Sequence, residues 1–209
     1  MSIRSSKITN PVVTEELAGN ANGGKTRPRE RIVSAACTLF RENGIRATGV
    51  EAIAEAADTN KMTLYRHFGS KDELICEALK CISDRHAAFW EKLTADFPDD
   101  SQARLLAWVE LRAASLVDEP HGCDLSNAAV ELKETDHPAH AVIEQVKAAQ
   151  HRRLVALCAD AGSRDPDLLA NTLAMLLEGA RVSRCASGAE GPCRQFSRAC
   201  HAAIAAFRN

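Results

Sequence analysis

The chain has 209 residues, of which 45% are hydrophobic and only 4% aromatic, and its formal net charge is −2. That is enough apolar material for one large domain or two small ones, and the scarcity of aromatic and β-branched runs favours helix over sheet. No run of about 18 uncharged apolar residues occurs, so no membrane span is expected, and the N-terminus lacks an apolar signal-peptide core, which points to the cytoplasm.

The charge is uneven. Residues 25–80 sum to +2 and residues 81–209 to −4, the sign expected of a nucleic-acid-binding head on an acidic body.

Residues 1–26 mix Ser, Asn, Gly, Thr and Glu without a period and read as a flexible tail, with Asn20-Ala21-Asn22-Gly23-Gly24 as a linker. Lys25, Arg27, Arg29 and Arg31 follow as candidate phosphate contacts. A first helix is predicted over 28–42, with Pro28 in its first turn and Ile32, Ala35, Ala36, Leu39 and Phe40 as its apolar stripe. Asn43-Gly44 ends it as a left-handed cap. Thr48 is expected to cap the second helix, whose buried face is Ile53, Ala54 and Ala57.

Asp58-Thr59-Asn60 breaks that helix, and Asn60 is placed to cap a third. Leu64, Tyr65 and Phe68 recur at i, i+1 and i+4, while the opposite face carries Lys61, Met62, Thr63, Arg66 and His67. A short helix with one packed face and one basic, hydrogen-bonding face suits the major groove of DNA.

These residues carry a resemblance. Thr63, Tyr65, His67, Phe68, Lys71 and Leu74 follow the T-x-Y-x-[HY]-F-x-x-K-x-x-L signature of the TetR family of transcriptional repressors. Upstream, Asn43-Gly44-Ile45, Thr48, Val50, Ile53 and Ala54 stand where that family has its own turn and helix positions. The match runs over roughly residues 27–79; beyond it, only length and helical pattern agree. Asp58 stands where the family has glycine, a turn position often in the left-handed region, which Asp tolerates. The resemblance implies Tyr65, His67 and Lys71 as phosphate contacts. With Thr48, Asn60, Lys61, Met62, Thr63 and Arg66, they complete the expected DNA-binding set.

Ser70-Lys71-Asp72-Glu73 has capping-box spacing and opens a long fourth helix to about residue 97. Lys71 in its first turn faces the positive end of the helix dipole, an objection that a nearby phosphate would remove. Further helices are predicted over 102–117, 124–133 and 135–161. Two apolar ones close the chain. Leu168, Leu169, Thr172, Leu173, Leu176, Leu177 and Ala180 mark the first; Phe196, Ala199, Cys200, Ala203, Ile204 and Phe207 mark the second.

The expected fold is therefore all-α, with about nine helices. It comprises a tail (1–26), a helix-turn-helix DNA-binding domain (27–73) and an effector-binding and dimerisation domain (74–209). The resemblance implies a homodimer through the last two helices and a palindromic double-stranded DNA operator. It also implies release by a small-molecule effector, with helix four as the lever between head and pocket. His86, Phe89, Trp90, Trp108, Arg112, His121, Cys123 and Asn127 are the effector-pocket candidates.

The eight cysteines, Cys37, Cys76, Cys81, Cys123, Cys158, Cys185, Cys193 and Cys200, form no C-x-x-C pair and read as reduced, small core residues. Cys193 and Cys200, at i and i+7, are too far apart along one helix to bridge within a chain. A bond across a dimer axis is the thiol-sensor alternative; an effector-independent DNA-binding dimer is the other. His137 with His140, or His121 with Cys123, is too loose a spacing to count as a metal site. No metal, cofactor or catalytic motif of the G-x-S-x-G, phosphate-loop or H-E-x-x-H type is expected.

Overall fold

A computed structural model describes residues 27–118 and 120–208. The expectations for the tail and for Lys25 lie outside these residues. Among the described residues are nine α-helices and one 3₁₀ turn. The helices are α1 Pro28–Asn43, α2 Val50–Ala56, α3 Lys61–Phe68, α4 Lys71–Asp96 and α5 Ser101–Asp118. After them come α6 Asp124–Glu131, α7 Ala139–Asp160, α8 Pro166–Ser187, the 3₁₀ turn Pro192–Gln195 and α9 Phe196–Ala206. No helix is long and apolar enough to cross a membrane among these residues.

The described residues fall into two compact units, 27–88 with 121–150 and 89–118 with 120 and 151–208.

In the first unit, α1, α2 and α3 close on Ile32, Ala36, Ile53, Leu64, Phe68 and Leu74. Ile32, Ile53, Leu64 and Leu74 are fully enclosed there. A neighbouring core in the same unit joins Ile45, Ile75, Leu79 and Ile82 to Leu125, Ala128, Leu132 and Ile143. Phe40 packs against both. The second unit is built on Phe89, Trp90, Trp108 and Val109 against Leu154, Leu157, Leu169, Leu173, Phe196 and Cys200.

Several local expectations change. Gly49, not Thr48, is the N-cap of α2. The Thr48 side chain turns the other way, to the end of α1. Its hydroxyl donates to the Gly44 carbonyl at 2.6 Å and lies 3.2 Å from that of Leu39. The last carbonyls of a helix have no partner within it, and Thr48 supplies one. Gly44 has φ 82° and ψ 159°, an extended rather than left-handed cap that only glycine adopts readily. A side chain there would also press on the Glu131 carboxylate. That carboxylate accepts the Arg46 backbone N–H at 3.0 Å and so ties α6 to the α1–α2 loop.

Helix α6 stops at Glu131, short of the expected 133. Helix α7 starts at Ala139 rather than 135, because His137 Nδ1 accepts the Ala139 N–H at 3.1 Å and acts as its cap. Asp58 does sit at φ 48°, the left-handed conformation expected of it.

Replacing Thr48 by valine removes the hydroxyl and leaves the Gly44 carbonyl without its donor at a site 3% exposed. The variant should lose about 1–3 kcal/mol in chemical denaturation, with the helical circular dichroism of the folded state unchanged.

Candidate nucleic-acid interface

The third helix is only eight residues long, far too short to persist alone in water. It is held at both ends and along one side. The Asn60 side chain accepts the Thr63 N–H at 2.9 Å, as its position in the sequence predicts. Gly69, with φ 65°, returns its N–H to the Tyr65 carbonyl at 2.8 Å. Leu64 and Phe68 fill the core between α1 and α2. Arg31 of α1 clamps the turn before α3, donating from Nε to the Ala57 carbonyl at 2.9 Å and from Nη2 to that of Asp58 at 3.0 Å.

Burying Leu64 and Phe68 turns the rest of the helix outward. Met62 is 83% exposed, a large apolar side chain with no packing role. Lys61, Tyr65, Arg66 and His67 are exposed beside it, and Thr63 is half-buried. The Lys61 ammonium pairs with Glu51 of α2 and lies 6.0 Å from the Tyr65 ring centre. That hydrogen bond holds the Glu51 carboxyl below its ordinary range and raises the Lys61 ammonium. The His67 ring lies 6.3 Å from that of Phe68. Lys61, Met62, Tyr65, Arg66 and His67 thus share one exposed helix, with Asn60 at its cap; Thr48 and Lys71 are not brought to it as free groups.

Lys71 has a partner within the protein. Its Nζ donates to the Ile45 carbonyl at 2.7 Å, and burial lowers its pKa from the ordinary lysine value. A protein carbonyl therefore offsets the unfavourable helix end without any phosphate. Ser70 caps α4, accepting the Glu73 N–H at 3.1 Å. The basic residues of α1 are also otherwise occupied. Arg29 pairs with Glu77 and stacks 5.2 Å over the Phe68 ring, and Arg31 serves the turn.

Two other head cations follow suit. Arg41 forms a two-point pair with Asp124, at 2.6 and 3.1 Å, and Arg46 reaches Glu131 and Glu134. Among the described residues, Arg66 makes no hydrogen bond or ion pair. Its guanidinium is charge the fold leaves unspent, on the same face as Met62.

With this geometry in place, comparison with known proteins is decisive. Residues 32–78 match the family of bacterial regulatory proteins described as the tetR family. A structure of a TetR-type transcriptional regulator from Streptomyces avermitilis is 31% identical, with a TM-score of 0.69, over 85% of this chain and 98% of that one. The chain belongs to the TetR family. It is a DNA-binding transcription regulator of the helix-turn-helix class. The TetR-family regulator SCO4454 from Streptomyces coelicolor shares the fold, with a TM-score of 0.76 and 24% identity over 87% and 96% of the two chains. The transcriptional repressor KstR2 of Rhodococcus jostii is 38% identical over 86 residues, 41% of this chain. That match spans 42% of the length of KstR2.

The effector-pocket candidates divide between the units. Phe89, Trp90, Trp108 and Arg112 come together in the second. There the Arg112 guanidinium lies 3.8 Å over the Phe89 ring and 5.9 Å from that of Trp108. The indole N–H groups of Trp90 and Trp108 are buried without a hydrogen-bond partner. Trp90 also lines an open cleft of about 540 Å³ with Thr94, Arg104, Arg153 and Asp160. His86, His121, Cys123 and Asn127 belong to the first unit. His86 pairs with Gln150, Asn127 donates to the His121 carbonyl at 2.7 Å, and Lys147 reaches the Cys123 sulfur at 3.6 Å.

What sequence reasoning missed is a thiol pair. Cys37 of α1 and Cys81 of α4 share a hydrogen bond, 44 positions apart in the chain and with no motif to announce them.

Because Lys71 is bound to the Ile45 carbonyl, Lys71→Met should cost stability even without DNA. A loss of about 1–2 kcal/mol in denaturation of the free protein is expected. No change at all would show that the Ile45 contact contributes nothing to the fold.

Proposed function

We propose that the protein is a homodimeric repressor that reads a palindromic operator through α3 and is released by a small-molecule effector. The observation that carries the DNA half is the exposed face of α3, where Met62 and the unspent Arg66 guanidinium project from a helix whose other face is fully packed. In this reading Lys61, Met62, Thr63 and Arg66 meet base edges. Tyr65, His67 and the capped N-terminus at Asn60 meet phosphate and set register. Thr48 and Lys71 act behind the interface: one finishes α1, the other holds the α1–α2 loop at the start of α4.

The dimer reading is supported by α8. Leu168, Met175 and Val182 are exposed at 50%, 67% and 68%, and they recur every seventh residue along one side. Asn171 and Gly179, also exposed, fall between them, and exposed Ala186 follows Val182 by one turn. An apolar seam of this period with small residues interspersed suits close antiparallel packing against a second copy, with α9 beside it. A two-fold dimer doubles the bases read, which one short helix needs for useful specificity.

The effector reading rests on the Phe89, Trp90, Trp108 and Arg112 cluster. A cation over an aromatic ring beside two unpartnered indole donors favours an acceptor-rich or anionic ligand with a flat apolar part. Release requires that the ligand bind the DNA-incompetent state more tightly, by as much as the affinity for DNA falls.

Three measurements test these readings. Purified protein should retain genomic fragments in a salt-sensitive manner, and footprints on them should be two-fold symmetric. Arg66→Ala should weaken that retention by about tenfold or more at fixed salt, as expected for loss of one bidentate guanine contact, while leaving thermal stability unchanged. Unaltered retention would remove Arg66 from the interface. Met175→Asp should convert a species of twice 22.6 kDa into one of 22.6 kDa in sedimentation, with helical content preserved. Both tryptophans of the chain lie in the proposed effector cluster. A true effector should therefore change intrinsic fluorescence and lower operator affinity at matching concentrations; a compound doing only one is not the effector.

A further inference from the structure

The first unit carries a chemical device that DNA reading does not use. On α1, Cys37 stands next to Ala36, which is fully buried in the helix-turn-helix core. The Cys37 thiol donates to the Ala78 carbonyl on α4 at 3.6 Å. Cys81 lies one turn further along α4 and hydrogen-bonds Cys37. Both thiols are half-buried rather than sealed in a core.

We propose that Cys37 and Cys81 are a redox-active dithiol that closes to a disulfide on reaction with a hydroperoxide, tying α1 to α4. The surroundings support this. Arg41 follows Cys37 by one turn on α1, and Arg85 follows Cys81 by one turn on α4. Both converge on the Asp124 carboxylate at the start of α6, with Arg85 at 3.6 Å. The Arg85 charge favours thiolate at this spot and that of Asp124 opposes it. The Cys37 proton is held by the Ala78 carbonyl, and the contact with Cys81 and burial push that thiol well up. Cys81 is therefore the partner that meets the oxidant.

The chemistry closes without further components. The Cys81 thiolate attacks the peroxide O–O bond, taking one oxygen to become a sulfenate and releasing the other as alcohol or water. The Cys37 sulfur then attacks the sulfenic sulfur, its proton leaves with the hydroxyl as water, and the S–S bond forms. Two thiols lose two electrons and two protons, and the peroxide gains them. Four of the other six cysteines differ. Cys158 and Cys200 are enclosed in the apolar core of the second unit, where burial pushes each thiol up to about 12. Cys193 is buried beside the Gly188 carbonyl, and Cys185, though exposed, donates to the Pro120 carbonyl at 3.1 Å. The alternative of a Cys193 or Cys200 bond across a dimer axis would need residues that are buried in the monomer.

The test treats the full-length protein with a small excess of hydrogen peroxide, alkylates remaining thiols and maps peptides by mass spectrometry. The expected result is loss of two alkylatable thiols per chain and one intramolecular crosslinked peptide pair containing Cys37 and Cys81. Dithiothreitol should restore both thiols. In Cys37→Ser, Cys81 should stop at a sulfenic acid that a dimedone probe traps; in Cys81→Ser, Cys37 should remain a thiol. Circular dichroism checks that both variants fold. Should either fail, differential alkylation of the unmutated protein over a peroxide series still decides, because Cys37 and Cys81 must disappear together. Independent loss of the two, a crosslink through Cys185 instead, or full retention of both thiols overturns the proposal.

Discussion

The face that α3 presents to solvent depends on burying two side chains of an eight-residue helix. A helix this short has no stability of its own, since its nucleation cost exceeds what so few hydrogen bonds return. Leu64 and Phe68 supply the missing stabilisation by entering a core made of Ile32, Ala36 and Ile53. Fixing those two also fixes the direction of every other side chain on α3, because positions i and i+4 share one face. The exposed face of α3 is thus a consequence of packing: Met62, Arg66 and Lys61 face outward because Leu64 and Phe68 face inward.

That arrangement was legible in the sequence to the extent that it is periodic. The apolar spacing in α2 and α3, the Asn60 cap and the positive φ at Asp58 all follow from local chemistry, and each is found, except that Tyr65, read with the packed face of α3, is exposed. What could not be read is contact between segments far apart in the chain. Glu131 accepts the Arg46 N–H across 85 positions, and Arg41 meets Asp124 across 83. Periodicity carries no information about such pairs. Thr48 shows a subtler limit. Its residue type favours a helix cap, and it does satisfy a helix end, but that of α1 behind it rather than α2 ahead. Type determines that a hydroxyl will find an orphan backbone group; only the loop conformation decides which.

The effector candidates illustrate the same limit on a larger scale. Aromatic, histidine and cysteine residues on the central helices form one list in the sequence, yet they separate into an aromatic cluster around Arg112 and a hydrogen-bonded group around His121. Residues of the right type for ligand binding are also right for core packing. What sets the aromatic cluster apart is the pair of buried indole N–H groups without a hydrogen-bond partner, at Trp90 and Trp108.

Net charge is a poor guide to how much of this head faces DNA. Counting Lys and Arg suggests a broad basic surface, but most of those cations hold the fold. Arg29 meets Glu77, Arg31 meets two carbonyls, Arg41 meets Asp124, Lys71 meets Ile45 and Lys80 meets Glu77. A cation already bound to a carbonyl must break that contact to reach phosphate, so its contribution to affinity is the difference between two partners rather than a full interaction. Arg66 carries no such debt. Affinity for DNA should therefore be concentrated in few side chains, and the number of ions released on binding should fall well below the number of basic residues in the head.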